Sequence, residues 1–163
     1  MSQTIITIDI ATQLQSGIVT AVSSITQTSA ADPEDTRSVT VSAKGVKGDS
    51  TKRGDETVFP AVAILVAECA NHDQAQASKL RDYPVKIKAA TQYQDDPWQI
   101  TFYTLAQAVG NYLLSPPTLT LNLTTGKFKA LSVPQPPIAS ETETDGGRLQ
   151  SMEWNVIVRV QVT

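Results

Sequence analysis

Apolar residues near the start of the chain recur with the period of a helix. They are spaced by four and three residues in the stripe Ile10, Leu14, Ile18, Val22 and Ile25. That spacing predicts a helix that buries one face, with Asp9 as its cap just before the stripe. Residues 1–8 form either the beginning of this element or a short extended arm.

A second helix is predicted in the middle of the chain. Asp95 and Asp96 offer an acidic cap, and Pro97 suits the first helical position. Prolines 116 and 117 end the element, because proline cannot continue a helix. Its apolar face is assigned to Ile100, Tyr103, Leu105, Val109, Tyr112 and Leu113.

The other apolar patterns are those of strands. Residues 59–69 form a nearly continuous apolar run, which predicts a central strand buried on both faces. Alternation of apolar and polar residues predicts strands with one wet face. It occurs at residues 38–42, at 83–89 with Pro84 at the start, at 118–123 and 128–133 as a hairpin turning at 124–127, and at 149–163.

This order of elements predicts an α+β fold, a mainly antiparallel sheet of five to six strands with two helices packed on one face. Residues 1–163 are interpreted as a single domain, a usual size for one. Two polar segments, at about 44–57 and 134–147, are predicted to be exposed loops. The first carries three glycines and many charges, and the second is Pro-rich and then acidic and Gly-rich.

Charge and composition narrow the class of protein. The formal net charge is −3 and the isoelectric point is about 5.1, so non-specific phosphate binding over the whole surface is not expected. The single cysteine, Cys69, cannot form an internal disulfide. The longest apolar run is far shorter than the roughly 20 residues of a bilayer span, and no signal peptide is recognised. We expect no membrane contact and a cytoplasmic place of assembly.

Residue types that carry catalysis are scarce. Cys69 and His72 are close in sequence, but a cysteine ending an apolar strand is usually an inert small hydrophobe. Zinc would need about four ligands of the cysteine, histidine or carboxylate type. The pair Asp95 and Asp96 is better explained by helix capping than by acid–base catalysis. We therefore expect no enzyme activity, no cofactor and no metal.

Charged and aromatic surface positions are the candidates for contact with partners. Lys86 and Lys88, with Tyr83 and Tyr93 nearby, could contact a nucleic-acid backbone or an acidic partner. The two lysines share one strand face, however, so the wet side of a sheet is their simpler explanation. Trp154 is either an interface anchor or, more commonly for an alternating strand, a core aromatic. The candidate interface residues are Lys47, Lys52, Arg53, Lys86, Lys88, Glu141, Glu143, Trp154 and Arg159.

From residue 8 to residue 163, the element order resembles the tail-terminator and tail-completion proteins of tailed bacteriophages, within the head–tail connector group. The similarity lies in the opening helix, the buried strand at 59–69 and the following strand with Arg81-Asp82-Tyr83-Pro84-Val85-Lys86-Ile87. It continues through the acidic turn at Asp95, the helix ending Tyr112-Leu113-Leu114, a hairpin, and the last strand with Trp154 and alternating valines. The resemblance includes no specific motif.

The resemblance implies a structural virion protein with no catalytic residues. Its copies would form a hexameric ring that closes the tail tube, docks to neck or connector proteins, and passes DNA through the lumen without specific binding. The location would be the tail–neck junction of the virion. An exposed C-terminal edge strand and the loops at 44–57 and 134–147 are the expected contact elements.

Two other functions remain open. The chain could be another head–tail joining or tail-tube protein, which differs only in its neighbours. It could instead be a small-molecule-binding module or enzyme that uses the cleft between sheet and helices, which predicts a deep apolar pocket with perturbed titratable groups.

Overall fold

The computed structural model describes residues 10–42, 59–67, 80–93, 98, 100–114, 126–144 and 147–162. In these ranges the chain forms two helices and eight strands. The helices are α1 (Ile10–Val22) and α2 (Phe102–Leu114). The strands are β1 (Thr26–Thr28), β2 (Thr36–Ser38), β3 (Thr40–Ser42), β4 (Ala61–Val66), β5 (Leu80–Tyr93), β6 (Gly126–Ser132), β7 (Ile138–Thr144) and β8 (Gly147–Val162).

Helix α1 buries the stripe that its sequence predicts. Ile10, Leu14, Ile18 and Val22 are all buried, at intervals of four residues. The helix ends at Val22, whose carbonyl accepts a hydrogen bond from the Ile25 amide at 3.1 Å. Ile25 is also buried, but it lies beyond the helix. The proposed cap, Asp9, lies outside the described residues.

The buried face of α2 differs from the predicted one. Leu105, Val109 and Leu113 are buried as expected, together with Phe102 and Ala106. Ile100 and Tyr103, however, are 67% and 61% exposed, so their assignment to the apolar face was wrong. Steps of three and four residues from Phe102 reach the buried positions, and Tyr103 is rotated by about 100° from Phe102. The predicted cap at 95–97 and the stop at 115–117 lie outside the described residues.

Six of the described strands form one sheet, which confirms the α+β prediction. Their order is β3-β4-β5-β8-β6, and β7 pairs with β8 beyond the end of β6. All pairs are antiparallel except β3 with β4. Strand β8 is therefore central, and the expectation that the C-terminal strand is an exposed edge was wrong. With 16 residues, β8 is long enough to pair with β5 on one side and with both β6 and β7 on the other.

Other strands appear where the patterns place them, with different bounds. The run at 59–69 contains the shorter β4, in which Leu65 is 45% exposed, so burial on both faces ends at Ile64. Strand β5 has 14 residues, and Pro84 lies inside it. The carbonyl of Pro84 accepts a hydrogen bond from the Ala67 amide, 2.8 Å away, where pairing with β4 stops. The predicted strand at 118–123 lies outside the described residues, whereas its partner is found as β6.

The segment at 134–147 contains a strand, which corrects the prediction of a loop. Strand β7 pairs with β8 from Ile138 opposite Glu153 to Thr144 opposite Gly147. Its sequence alternates Ile138, Ser140, Thr142 and Thr144 with smaller or acidic residues, a pattern compatible with a strand. The exposure was predicted correctly, because residues 138–143 are all exposed. The other predicted loop, at 44–57, lies outside the described residues.

Both helices pack on one face of the sheet, as predicted. Alternate residues of the three central strands point to this side, among them Ile64 of β4, Ile87 of β5 and Val156 of β8. They form one buried cluster with the stripes of α1 and α2. This burial excludes a large apolar area from water and is the main force that holds helices and sheet together.

The short hairpin of β1 and β2 is fixed to the start of α2 by a buried polar side chain. Gln27 is 2% exposed, and its Nε2 donates to the Trp98 carbonyl at 2.8 Å and to Thr101 Oγ1 at 3.0 Å. Its Oε1 accepts a hydrogen bond from Thr91 Oγ1 of β5 at 2.9 Å. Above Trp98, the guanidinium of Arg37 lies 4.1 Å from the ring centroid, a cation–π contact.

Candidate interaction surface

The face of the sheet opposite the helices, here called the outer face, carries Lys86, Lys88 and Arg159. Alternation along β5 and β8 places these side chains opposite the core positions. Lys86 Nζ lies 3.3 Å from Glu153 Oε1 on the neighbouring strand. Arg159 is paired with Asp82 through two hydrogen bonds, from Nε to Oδ1 at 2.8 Å and from Nη2 to Oδ2 at 3.0 Å.

These pairs balance the charge of the outer face. The hydrogen bonds from Arg159 lower the pKa of Asp82, partial burial opposes this effect, and the positive charge adds to it. The same contact raises the pKa of Arg159. Because cations alternate with carboxylates, Lys86 and Arg159 do not form the continuous basic stripe that a nucleic-acid backbone requires.

Glu141 and Glu143 lie on β7, where both interact with Arg148 of β8. The distances from Arg148 are 3.1 Å from Nε to Glu141 Oε1 and 3.7 Å from Nη2 to Glu143 Oε1. All three side chains are at least 46% exposed. Exposed pairs of this kind contribute little to stability, so these carboxylates remain accessible to a partner.

The remaining sequence-based candidates divide into two groups. Trp154 is 4% exposed and belongs to the main buried cluster beside α2, so it occupies the core rather than a surface. Lys47, Lys52 and Arg53 lie outside the described residues.

The described part of the chain exposes four large apolar side chains, Leu65, Ile100, Tyr103 and Ile138. Tyr103 belongs to the first turn of α2, and Ile138 begins β7. Tyr103 and β7 line the same open depression of about 220 Å³, which Phe102, Gln150 and Ser151 also line. Leu65 lies on β4, beyond the end of the pairing with β3. Single exposed apolar residues are normal, but Tyr103 and Ile138 adjoin the same exposed strand.

Sequence reasoning placed Tyr103 on the buried face of its helix and Ile138 in an exposed loop, so it recognised neither the exposed helix position nor the exposed strand. Tyr103 fits a helical apolar face if the count starts at Ile100, and only the position of Phe102 in the core fixes the true face. Ile138 follows two prolines at positions 136 and 137, so its neighbourhood was interpreted as a loop. The alternation of β-prone residues after Ile138 was the available signal.

Among the residues that the structure describes, no group of three or more histidine, cysteine, aspartate or glutamate side chains could hold a metal ion. Cys69, His72, Asp95 and Asp96 lie outside the described residues. The depression beside Tyr103 is smaller than the roughly 300–1,000 Å³ of typical ligand pockets. Its geometry is that of a shallow contact surface.

No helix in the described ranges combines the length and the hydropathy that crossing a membrane requires. Comparison of the chain with models of protein families and with curated proteins finds no match. Because strand β7 and Tyr103 are exposed and line the same depression, they form the best candidate for an interaction surface among the residues that the structure describes.

Proposed function

We propose that the chain is a structural virion protein of a tailed bacteriophage, a tail terminator. Its copies form a ring, hexameric by the resemblance described above, that closes the tail tube and joins it to the neck. Tail-tube and neck or connector proteins are its partners, and DNA passes through the lumen without specific binding.

One observation carries this proposal: β7 is a seven-residue strand whose residues 138–143 are exposed and which, among the described residues, lies at a margin of the sheet. Backbone groups along such a margin can pair with a strand of another chain. Proteins that act alone usually shorten, charge or cover such strands. The two glutamates of β7 supply some charge, but Ile138 is 53% exposed beside them. An assembly subunit uses this kind of surface, because a neighbouring subunit covers it.

The proposal is tested with the purified chain and the tail-tube protein of the same virus. Electron microscopy of the chain alone should show rings, and native mass spectrometry should give their subunit number. When the chain is added to polymerising tube protein, the tubes should become shorter and carry a ring at one end. As a control, Gln107→Glu changes an exposed position of α2 and should leave both results unchanged.

Other outcomes would identify the alternatives. Tubes formed by the chain alone would identify a tail-tube protein. Binding to a connector without any effect on tubes would identify another head–tail joining protein. A strict monomer at high concentration that gains no mass with either partner would overturn the proposal.

A further inference from the structure

The sheet ends in two margins that lie on its opposite sides. On one side, among the described residues, β3 pairs with β4 alone, and residues 64–66 of β4 extend beyond it. We call this edge, formed by β3 and by residues 64–66 of β4, the first border. On the other side, in the same described ranges, β6 and β7 lie along different parts of β8, and each of them pairs with β8 alone. We call β7 the second border. Two different borders can join only head to tail, a heterologous interface that builds rings or filaments.

The two borders lie at the same level of the sheet. Ser140 is opposite Ser151, Ser151 is opposite Ala90, Ala90 is opposite Ala61, and Ala61 is opposite Thr40, so one row crosses the sheet from Ser140 to Thr40. A second row lies two residues away along each strand. It joins Ile138 to Ser42 through Glu153, Lys88 and Ala63. The first three residues of β7 are therefore level with all three residues of β3.

The strand directions also match. Strand β7 is antiparallel to β8, β8 to β5, and β5 to β4, whereas β4 is parallel to β3. Consequently β7 runs opposite to β3. If a second copy continues the sheet without a shift along the strands, its β3 meets β7 as an antiparallel pair. In such a pair, residues directly opposite bring their Cβ atoms to about 4.5–5.5 Å.

The charges of β7 favour pairing with β3 of a second copy over pairing with β7 of a second copy. Two β7 strands paired antiparallel about Glu141 or Thr142 would place Glu141 and Glu143 opposite or diagonal to the same residues of the other copy. Like charges opposite each other destabilise a sheet. Strand β3 consists of Thr40, Val41 and Ser42 and has no charge, so the glutamates meet no like charge there.

Exposed apolar residues near both borders also support the pairing of β7 with β3. Ile138 and Leu65 are both exposed, and both project from the outer face, since Ile138 is opposite Glu153 and Leu65 is opposite Lys86. Their rows differ by two residues, about 7 Å along a strand. Joining the borders thus brings an exposed apolar residue from each copy to the same face, with Leu65 one strand beyond β3 and two rows from Ile138.

We propose that β7 of one copy pairs antiparallel with β3 of the next copy, so that one sheet continues from subunit to subunit. The inference deepens the proposed function, because it names the surfaces that close the ring. It is independent of which virion protein the ring contacts.

Two double variants test the pairing at a single row. Thr40 and Ser140 are both exposed, and the proposal makes them direct neighbours across the junction. T40E/S140K places opposite charges there, whereas T40K/S140K places like charges. Association measured by sedimentation velocity in low salt should be about tenfold tighter for the first variant at each junction. The difference should shrink in 1 M salt. I138K is a third variant, which should weaken association because a charge replaces an exposed apolar side chain that the neighbouring copy would cover.

The outcomes separate this inference from the proposed function. If wild-type rings form and the two sign variants associate equally, the pairing of β7 with β3 is overturned while the ring proposal stands. If association depends on the sign but the assembly never caps tail tubes, the pairing stands and the tail-terminator function fails. Thermal unfolding of each variant verifies that it is folded, and Gln107→Glu serves again as the exposed control.

Discussion

Asp82 of β5 and Arg159 of β8 are directly opposite each other, and the guanidinium donates two hydrogen bonds, of 2.8 and 3.0 Å, to the carboxylate. This geometry favours the ionised carboxylate and lowers the pKa of Asp82. The pair joins two adjoining strands of the sheet on the outer face. It therefore links the stability of the sheet to pH.

The first prediction concerns this pair. A carboxyl group whose pKa is lower in the folded chain stabilises the fold above its unfolded pKa, about 3.9. That contribution disappears as the pH falls through the lower, folded value. Asp82→Asn should reduce Tm by a few degrees at pH 7, and the deficit should shrink below about pH 4. Thermal unfolding from pH 7 to pH 2 measures it, and a deficit that stays constant across this range would contradict the linkage.

The second prediction concerns the buried amide of Gln27. Gln27→Leu should destabilise the fold by about 2–3 kcal/mol, because Thr91 Oγ1 loses its buried acceptor and the Trp98 carbonyl loses a short hydrogen bond. Thr26→Val, an exposed substitution on the same strand, should change the free energy of unfolding by less than about 0.5 kcal/mol. Urea denaturation compares the two variants. Equal effects would mean that the amide does not anchor the hairpin.

The third prediction uses the contact between Gly110 and Trp154. A Cβ at Gly110 would lie 3.7 Å from Trp154 Nε1, an ordinary van der Waals distance. Alanine is more favourable than glycine inside a helix by roughly 0.5–1 kcal/mol. Gly110→Ala should therefore raise Tm by about 1–4 °C. Gly110→Leu should instead lower it, because a larger side chain overpacks against the indole. A loss of stability with alanine would show that the helix and the sheet are closer than described.

The fourth prediction separates two adjacent aromatic residues. Phe102 is 2% exposed and Tyr103 is 61% exposed. Phe102→Ala should cost about 3–5 kcal/mol of unfolding free energy. Tyr103→Ala should cost about 1 kcal/mol or less, mainly through the edge-on contact of the two rings, whose centroids are 5.7 Å apart. Chemical denaturation measures both, and a larger effect at Tyr103 would reverse the assignment of the helix face.

The periodicity of apolar residues was sufficient to predict the fold class, both helices and the strands of the six-stranded sheet other than β7. Intervals of four residues from Ile10 to Val22 specify the buried stripe of α1, because each helical turn takes 3.6 residues. Strict alternation in the last segment specifies β8 in the same way. These signals are local: they depend only on residues that are close in the sequence, and not on which elements pack beside them in the fold.

Apolar periodicity could not predict which face of α2 is buried, nor the position of β8 within the sheet. Both Phe102 and Tyr103 are aromatic, and only the packing of Phe102 into the core turns Tyr103 outward. Alternation in β8 is the same in a central strand and in an edge strand. Its position depends on which strands lie beside it, and β5, β6 and β7 come from separate parts of the sequence.

The sequence by itself thus determined both helices, the strands of the six-stranded sheet other than β7, and which residues of α1 and β8 are apolar, since these follow from periods of 3.6 and 2 residues. Only the tertiary structure decided that β7 and β3 form opposite borders of one sheet, that Trp154 is buried, and that Asp82 meets Arg159. Each of these facts depends on the register between strands far apart in the chain. Register is set by the packing of a whole face at once, which no local pattern contains.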